Sequence, residues 1–417
     1  MIRRWPGSPT RTLTAGVTFA AIAVVALAII FVPGLTRTGV AAGPTSTPAI
    51  AAGATGGTGP GSGSPGTGSS AAPAPTSSAT PLPAPTPSPS PVAATIDGVW
   101  LAADQAARAV RLPLAVMIDD SAPARPQSGL AEADLIYQAP AEGGIPRYML
   151  VFQAGDASSI GPIRSARRYF AGWASEWRAL YAHVGGAPNA LAYVAQANGN
   201  LLWNADEFAW GPTYLWRITE RDAPHNVYTS SAKLRELATK LGGTSTFSTP
   251  AWTFGDEAPL AARPNGGTIS VPYLANGVSY RYDRTTNRYA RYVSNGEPQM
   301  DATTNRQVAP ANVIVQFVAV GPLANAPGQP TNEKKGRLEL GYIGTGRALI
   351  FRDGRVITAR WSKSSDGDPT EFAYASGSLK GNPVSLVRGQ IVIQVVPLDT
   401  NVTYELGTLP TPAGRLD

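Results

Sequence analysis

The sequence predicts an α/β domain over residues 96–246 followed by a mostly antiparallel β domain over residues 247–417. Three observations lead to this fold class. In the first part, apolar runs typical of buried strands alternate with patterns of helical spacing. In the second part, turn dipeptides such as Asn276-Gly277 separate short alternating runs, which is typical of hairpins. A long stretch with few core-forming residues precedes both parts, so we expect two folded domains behind a linker.

Residues 13–35, "LTAGVTFAAIAVVALAIIFVPGL", carry no charge and are long enough to cross roughly 30 Å of hydrocarbon as a helix. Three arginines precede this run and only Arg37 follows it closely, which predicts that residues 1–12 are cytoplasmic and the rest lies outside. The alternative is a cleaved signal peptide with an Ala49-x-Ala51 site, which would give a secreted protein. Because the run exceeds the usual apolar length of a signal peptide, we expect an uncleaved single-pass anchor.

Residues 36–95 consist mainly of Gly, Ser, Thr, Ala and Pro, so this segment is predicted to be a disordered linker that holds the folded part away from the membrane. The chain contains no cysteine, which excludes lipid attachment through cysteine and excludes disulfides. The first 94 residues hold four arginines and no acid, which leaves 30 basic against 28 acidic residues in the remainder. The folded part is therefore nearly neutral, and we expect no nucleic-acid partner.

Secondary structure in the first part follows from apolar spacing. Strands are predicted at 112–118, 135–137 and 148–152, and another ends at His183. We predict a short helix at 128–133 and a longer helix from residue 165, in which aromatic residues recur at helical spacing as far as Tyr181. Two further helices are predicted, one with Pro188 in its first turn and one capped by the serines at 230–231.

The second part is predicted to contain strands joined by tight turns, because Asn295-Gly296 and Asp353-Gly354 stand between short apolar runs. The "GTG" at 344–346 lacks the third glycine of a dinucleotide-binding fingerprint, so we interpret it as a turn.

Polar residues that follow apolar strands are the first candidates for a ligand site. Asp119 comes directly after the strand at 112–118, and Arg125 lies six residues further on. Glu142 and Arg147 flank a Gly-Gly bend. In open α/β sheets ligands bind at the carboxyl ends of strands, which makes these residues candidates for a cleft. Simple ion pairs explain them almost as well.

Arg164 and Arg167 lie in "IGPIRSARRYF", at the start of the helix predicted from residue 165. Free N–H groups at a helix start already favour an anion, and cations at that position are unfavourable for the helix. This arrangement indicates a bound carboxylate or phosphate. The alternative is that Asp119 or Glu142 provides the negative partner within the protein.

The two histidines, His183 and His225, are the remaining candidates for acid/base chemistry. With Glu142 they form the candidate catalytic set, and Arg221 and Asn226, which flank His225, join the candidate ligand-binding set. If the histidines meet in space, they are candidate ligands for a divalent metal together with a carboxylate. Their spacing matches no helical metal motif, and an ordinary hydrogen-bonded histidine is the alternative. No Gly-x-Ser-x-Gly motif occurs, so a serine hydrolase is not indicated.

Long stretches of the chain resemble the YerB-like family, a two-part domain of unknown function in bacterial surface lipoproteins. The resemblance is carried by "LAVMIDD", "ARPQSGLAEADLIYQAPAEGGIPRYMLVF", "IGPIRSARRYF", "LYAHVGG" and "RDAPHNVYTS", and later by "ARWSK" and "GQIVIQVVP". It implies the arrangement of an α/β part followed by a β part, and it implies no activity. The resemblance implies that the polar positions that recur in the family fall here on Asp119, Arg125, Glu142, Arg147, Arg164, Arg167, His183 and His225. This chain departs from many family members because it lacks the lipid-bearing cysteine.

Three functional hypotheses follow. The first is a membrane-anchored extracytoplasmic protein with an anion-recognising cleft, which binds a ligand or acts as a scaffold in the envelope. The second is an envelope hydrolase that acts on a glycan or phosphate-containing wall polymer. The third makes the polar cluster purely structural and places an envelope-protein partner on the β part, at Trp361, Tyr280 and Tyr282. Packing between strands is the more common role of such aromatic residues.

Overall fold

The computed structural model describes residues 90–243, 246–248, 251–323 and 336–410. Its α-helices are α1 Ala106–Val110, α2 Arg168–Glu176, α3 Pro188–Ala197, α4 Glu207–Trp210 and α5 Ser231–Lys240. Its strands are β1 Val92–Ala93, β2 Trp100–Leu101, β3 Leu114–Asp119, β4 Leu135–Ala139, β5 Arg147–Phe152, β6 Leu180–His183, β7 Trp203–Asp206, β8 Trp216–Arg217, β9 Val227–Tyr228, β10 Thr253–Gly255, β11 Asn265–Val271, β12 Val278–Asp283, β13 Arg288–Tyr292, β14 Asn312–Val318, β15 Val320–Pro322, β16 Leu338–Leu340, β17 Gly344–Arg352, β18 Arg355–Lys363, β19 Glu371–Tyr374, β20 Ser385–Val387, β21 Ile391–Pro397 and β22 Thr403–Thr408. The described residues are thus rich in strands and contain few helices.

One ten-stranded sheet contains strands from both predicted parts of the chain. Its order is β19-β18-β17-β14-β21-β4-β5-β3-β6-β7, so five strands come from each side of the predicted boundary at residues 246 and 247. The two sets meet where β21 runs parallel to β4, with Ile391 opposite Leu135 and Gln394 opposite Gln138. β14 is also parallel to β21, whereas the other pairs of the second part in this sheet are antiparallel. The two predicted parts therefore share one continuous backbone hydrogen-bond network.

Each face of this sheet carries its own hydrophobic core, because side chains alternate between the faces along every strand. On β14, Ile314 belongs to one core, and Val313 and Val315 belong to the other. Helices α2 and α3 pack on the first face, whereas α5 and a second sheet pack on the opposite face. Both cores combine residues from the two predicted parts.

The second sheet has four antiparallel strands in the order β13-β12-β11-β22. Its inner face supplies Ile269 and Tyr280 to the core that it shares with the large sheet. The predicted turn at Asp353-Gly354 is confirmed, since it joins β17 to β18 with φ values of 52° and 69°. Both residues adopt the left-handed conformation that such two-residue hairpin turns require.

Two predicted helices of the first part are confirmed. Helix α3 begins at Pro188, whose missing N–H costs nothing at that position. Helix α5 is capped by Ser230, whose side chain accepts a hydrogen bond from the backbone N–H of Lys233.

Three local predictions are wrong. Residues 128–133 form turns rather than a helix, because Gly129 has φ +92° and interrupts any helical run. The aromatic helix from residue 165 is shorter than expected, since α2 ends at Glu176 and Tyr181 lies on β6. The "GTG" at 344–346 is the beginning of β17 rather than a turn.

The N-terminal predictions fall mostly outside the described residues. The predicted membrane span at 13–35 and most of the linker at 36–95 lie there, and no helix in the described residues is long and apolar enough to cross a membrane. The linker prediction is wrong at its end, because β1 pairs with β2 and Ala94 is buried. Folded structure therefore begins before residue 95.

Candidate functional site: a polar cluster at one edge of the large sheet

The polar cluster forms where the carboxyl ends of β3 and β4 meet the beginning of β5. Arg147, the first residue of β5, stands opposite Asp119 on β3 and opposite Ala139 on β4. Glu142 follows β4 after a short connection. Because β5 is antiparallel to both neighbours, its first residue reaches the same sheet edge as their last residues. This topology brings Asp119, Glu142 and Arg147 to one place.

Asp119 is held by two side chains from distant parts of the chain, Arg164 and His225. Its Oδ2 lies 3.0 Å from Nε of Arg164 and 2.7 Å from Nδ1 of His225, and its Oδ1 accepts a hydrogen bond from the backbone N–H of Ser121. Burial alone would raise the pKa of Asp119, but the charge of Arg164 and the hydrogen bonds from Ser121 and His225 outweigh it and lower the pKa. Asp119 is therefore a carboxylate at neutral pH.

Glu142 forms the second half of the cluster, with two arginines. Its Oε1 lies 2.5 Å from Nε of Arg167, and its Oε2 lies 3.3 Å from Nη2 of Arg147. Burial would raise the pKa of Glu142, but the hydrogen bond from Arg167 and the charge of Arg147 lower it. Burial also lowers the pKa of Arg147 to about 10, with the repulsion of Arg167 contributing. That value still leaves Arg147 charged at neutral pH.

The cluster contains one more cation than it has anions, since three guanidinium groups face two carboxylates. Arg164 carries the least satisfied of these cations. Its Nε contacts Asp119 without a well-aligned hydrogen bond, and no hydrogen bond in the described part of the chain uses its terminal nitrogens. The side chain of Arg164 is 24% exposed, against 10% for Arg167 and 12% for Arg147. Arg164 can therefore present two parallel N–H donors to a ligand, which suits a carboxylate or phosphate.

Three further predicted ligand-binding residues have other partners. Arg125 forms an ion pair with the buried Asp120, with Nη2 2.7 Å from Oδ1. Arg221 donates to the backbone carbonyls of Pro123 and Pro126 and so fastens the loop after β3. The side chain of Asn226 accepts from Arg217. Each of these three side chains therefore has a partner within the protein.

His183 and His225 do not share a site. His183 is fully buried, with Nδ1 2.9 Å from the carbonyl oxygen of Gly185 and Nε2 3.0 Å from the side chain of Asn204. Burial lowers the pKa of His183, which keeps its ring neutral. In the described residues, no group of three His, Cys, Asp or Glu side chains is placed to hold a metal ion. The geometry thus supports no divalent-metal site built on both histidines.

The third hypothesis placed a partner-binding surface at three aromatic residues of the second part, and their burial contradicts it. Trp361, Tyr280 and Tyr282 are all buried, at 2%, 0% and 5% exposure. Tyr280 and Trp361 belong to different hydrophobic cores, which lie on opposite faces of the ten-stranded sheet. The prediction of a partner-binding face at these residues is wrong, because their rings fill the protein interior.

Comparison with known proteins shows the family to which the chain belongs. Residues 100–244 match the N-terminal domain model of DUF3048, a protein family of unknown function, and residues 269–393 match the C-terminal domain model. The chain belongs to the DUF3048 family. The protein named "Putative lipoprotein YerB" from Bacillus subtilis (strain 168) is 29% identical over 259 residues, which are 61% of this chain and 73% of that protein.

The solved crystal structure of YerB from Bacillus subtilis is also similar. It matches with a TM-score of 0.62 and 25% identity, over 75% of this chain and 99% of that one. The predicted resemblance to YerB-like proteins is therefore confirmed. The DUF3048 family is described as being of unknown function, so membership of the family assigns no activity to this chain.

A second polar network in this DUF3048 protein was not predicted. Arg291 on β13 is 1% exposed, and its guanidinium group donates to Tyr280, Tyr148 and Gln138. Gln138 in turn donates to Asp120 at 2.8 Å. Two signals in the sequence could have revealed the network. Arg291 shares the inward alternation of its strand with Tyr289, and Gln138 interrupts the apolar run "LIYQA".

Proposed function

We propose that this protein is a membrane-tethered, extracytoplasmic binding protein of the cell envelope that recognises an anionic group at the polar cluster. The observation that carries this proposal is Arg164, a partly exposed guanidinium group beside two ionised carboxylates and two other arginines. The apolar run at 13–35 and the lipoprotein name of the Bacillus relative both support attachment to a membrane with the folded part outside.

The physical basis is the excess positive charge. Asp119 and Glu142 neutralise two of the three arginines, and a bound carboxylate or phosphate would neutralise the third. A bidentate contact from the terminal nitrogens of Arg164 is among the stronger hydrogen-bond arrangements available to a protein. The partly buried setting strengthens that contact, because the effective dielectric constant there is below that of water.

The proposal is tested by thermal unfolding of the full chain in detergent with and without inorganic phosphate or citrate. We expect either anion to raise the Tm of the wild-type protein, and we expect Arg164→Gln to abolish the rise. Arg288→Gln is the matched control, because Arg288 is 32% exposed and pairs with Glu257 at 2.8 Å, away from the cluster. Equal stabilisation of wild type and Arg164→Gln would contradict the proposal.

Salt dependence gives a second readout of the same site. Because the interaction is electrostatic and partly exposed, the affinity for phosphate should fall as sodium chloride is added. A nonspecific effect of phosphate on hydration would stabilise the Arg164→Gln and Arg288→Gln proteins equally.

A hydrolase is the second candidate function, and one specific observation favours it. The 2.7 Å contact between Asp119 and Nδ1 of His225 orients the imidazole and leaves Nε2 as the nitrogen that can take a proton from water. The side chain of His225 is 18% exposed, so a substrate can reach it. The substrate would be a glycan or a phosphate-containing wall polymer bound through Arg164.

This candidate is tested by incubating the full chain with peptidoglycan and teichoic-acid fragments and measuring released products. We expect a hydrolase to lose at least about 100-fold in rate in His225→Gln protein that unfolds at the wild-type temperature. Arg288→Gln serves as the matched control, because Arg288 pairs with Glu257 away from the cluster. If a fragment binds but no fragment is cleaved, the result would support the binding function and exclude hydrolysis of these polymers.

A further inference from the structure

One edge of the four-stranded sheet is unpaired. Strand β22 pairs with β11 on one side, and no described strand pairs with its other side. Such an edge presents a row of free backbone N–H and C=O groups that another strand can pair with. β22 spans Thr403–Thr408 and reads "TYELGT".

The side chains of β22 are apolar on the face that continues the protein core. Tyr404 pairs in register with Ile269, a buried core residue, and its ring lies 5.3 Å from that of Phe351. Leu406, two residues later, points to the same face. Yet Tyr404 is 41% exposed and Leu406 is 50% exposed. The core thus ends at this strand with an uncovered apolar margin.

This edge lacks the features that usually protect an edge strand. β22 contains no lysine and no proline, and its one charged residue is Glu405. On the opposite edge strand, β13, the backbone N–H of Arg291 donates to the carbonyl of Val308 and its carbonyl accepts from the N–H of Gln299, so that edge is already paired within the protein. Of the two edge strands of this sheet, β22 is therefore the one whose backbone can pair with a further strand.

We propose that β22 pairs antiparallel with β22 of a second copy of this chain, across a two-fold axis that passes through Leu406. In this register Leu406 faces the same residue of the second copy, and Tyr404 faces Thr408. An axis through Glu405 would instead place two carboxylates directly opposite each other, which is unfavourable. The two apolar margins then cover one another, and the two small sheets form one sheet of eight strands.

A second copy fits this edge better than the rest of the same chain. Residues 36–89 are rich in glycine and proline, and the last residues include Pro410 and Pro412. Proline lacks the N–H that a pairing strand must donate, and glycine weakens a strand. β22 itself supplies donors, acceptors and a matching apolar face.

The register can be tested by cross-linking, because the chain has no natural cysteine. Residues directly opposite in an antiparallel pair have Cα atoms about 4.5–5.5 Å apart, which a disulfide can bridge. Full-length Leu406→Cys protein in detergent should therefore form a covalent dimer under mild oxidation. Leu379→Cys is the matched control, since Leu379 is 48% exposed and lies in a turn away from β22. Equal cross-linking of the two variants, or none, would overturn the proposed register.

The association itself is tested with uncross-linked protein by light scattering coupled to size-exclusion chromatography. We expect the wild-type and Leu379→Lys proteins to show the mass of two chains, and Leu406→Lys to show the mass of one, about a twofold loss. The lysines would face each other across the axis. Thermal unfolding of Leu406→Lys verifies that it remains folded. A wild-type protein with the mass of one chain at high micromolar concentration would overturn the proposal and leave the edge to a different protein.

Discussion

Asp119 and Asp120 are neighbours in sequence, yet they belong to different networks. Asp119 lies in the polar cluster at the sheet edge, next to Arg164 and His225, and its pKa is lowered. Asp120 is fully buried, and its burial raises its pKa despite the opposing charges of Arg125 and Arg291. Folding therefore favours the charged form of the aspartate at position 119 and disfavours the charged form of the aspartate at position 120.

This difference separates two roles. The Asp120 network joins β4, β5 and β13, and it consists of side chains that already have partners within the protein. The Asp119 cluster has an accessible cation, Arg164, and an excess of positive charge. It can therefore bind an anionic ligand from solution. We infer that the buried network maintains the fold and that the edge cluster provides the function.

The largest expected effect comes from breaking the buried network with Arg291→Met. Loss of this guanidinium group would leave Gln138, Tyr148 and Tyr280 without its hydrogen bonds. We expect the free energy of unfolding to fall by about 3–5 kcal/mol, measured by urea denaturation. Arg281→Met on the adjacent strand is the control, because Arg281 is exposed and stacks on Tyr292. Its loss should be below about 1 kcal/mol, and similar losses for both variants would refute the distinction.

A moderate effect is expected in the pH dependence of stability. A carboxyl group whose pKa is lowered by folding stabilises the protein above its unfolded pKa of about 3.9, and this contribution is lost as the pH falls further. Asp119→Asn should therefore make acid destabilisation less steep. A carboxyl group whose pKa is raised by folding has the opposite effect on the pH dependence of stability, because the folded state binds its proton more tightly than the unfolded state does. Asp120→Asn should therefore make acid destabilisation steeper.

The measurement for this comparison is the free energy of unfolding of wild type and both variants from pH 2 to pH 7. Each variant is compared with its own value at the neutral end, which removes the constant cost of lost hydrogen bonds. Slopes that change in the same direction in both variants would show that the two aspartates do not differ as described.

The smallest effect is expected for Arg221→Ala. Arg221 is partly exposed and fastens the loop after β3 through the carbonyls of Pro123 and Pro126. We expect a loss of stability below about 1 kcal/mol and a change in phosphate affinity much smaller than that of Arg164→Gln, both measured by thermal shift. A loss of binding as large as that of Arg164→Gln would place Arg221 inside the site.

Individual elements were predictable wherever the local pattern was strong. The strands that became β3, β5 and β6, the capped helix α5 and the Asp353-Gly354 hairpin all have short-range signals. The helix predicted at 128–133 does not form, because its apolar periodicity is weak and Gly129 adopts a positive φ that is incompatible with a right-handed helix. Asp119 and Glu142 could be singled out as candidates because they stand at or after strand ends, but the sequence did not show that Asp119 and Asp120 belong to different networks.

The sequence by itself determined the order of apolar and polar segments, the near-neutral charge of the folded part, the lack of cysteine and the membership of a family. Only the tertiary structure decided that both parts share one sheet, that Arg291 reaches Asp120 through Gln138, and that Asp119 meets Arg164 and His225. The physical reason is that the environment of a charge depends on partners far away in the chain. Local spacing shows where a strand ends, but the residues that surround its last carboxylate are set by the folding of the whole chain.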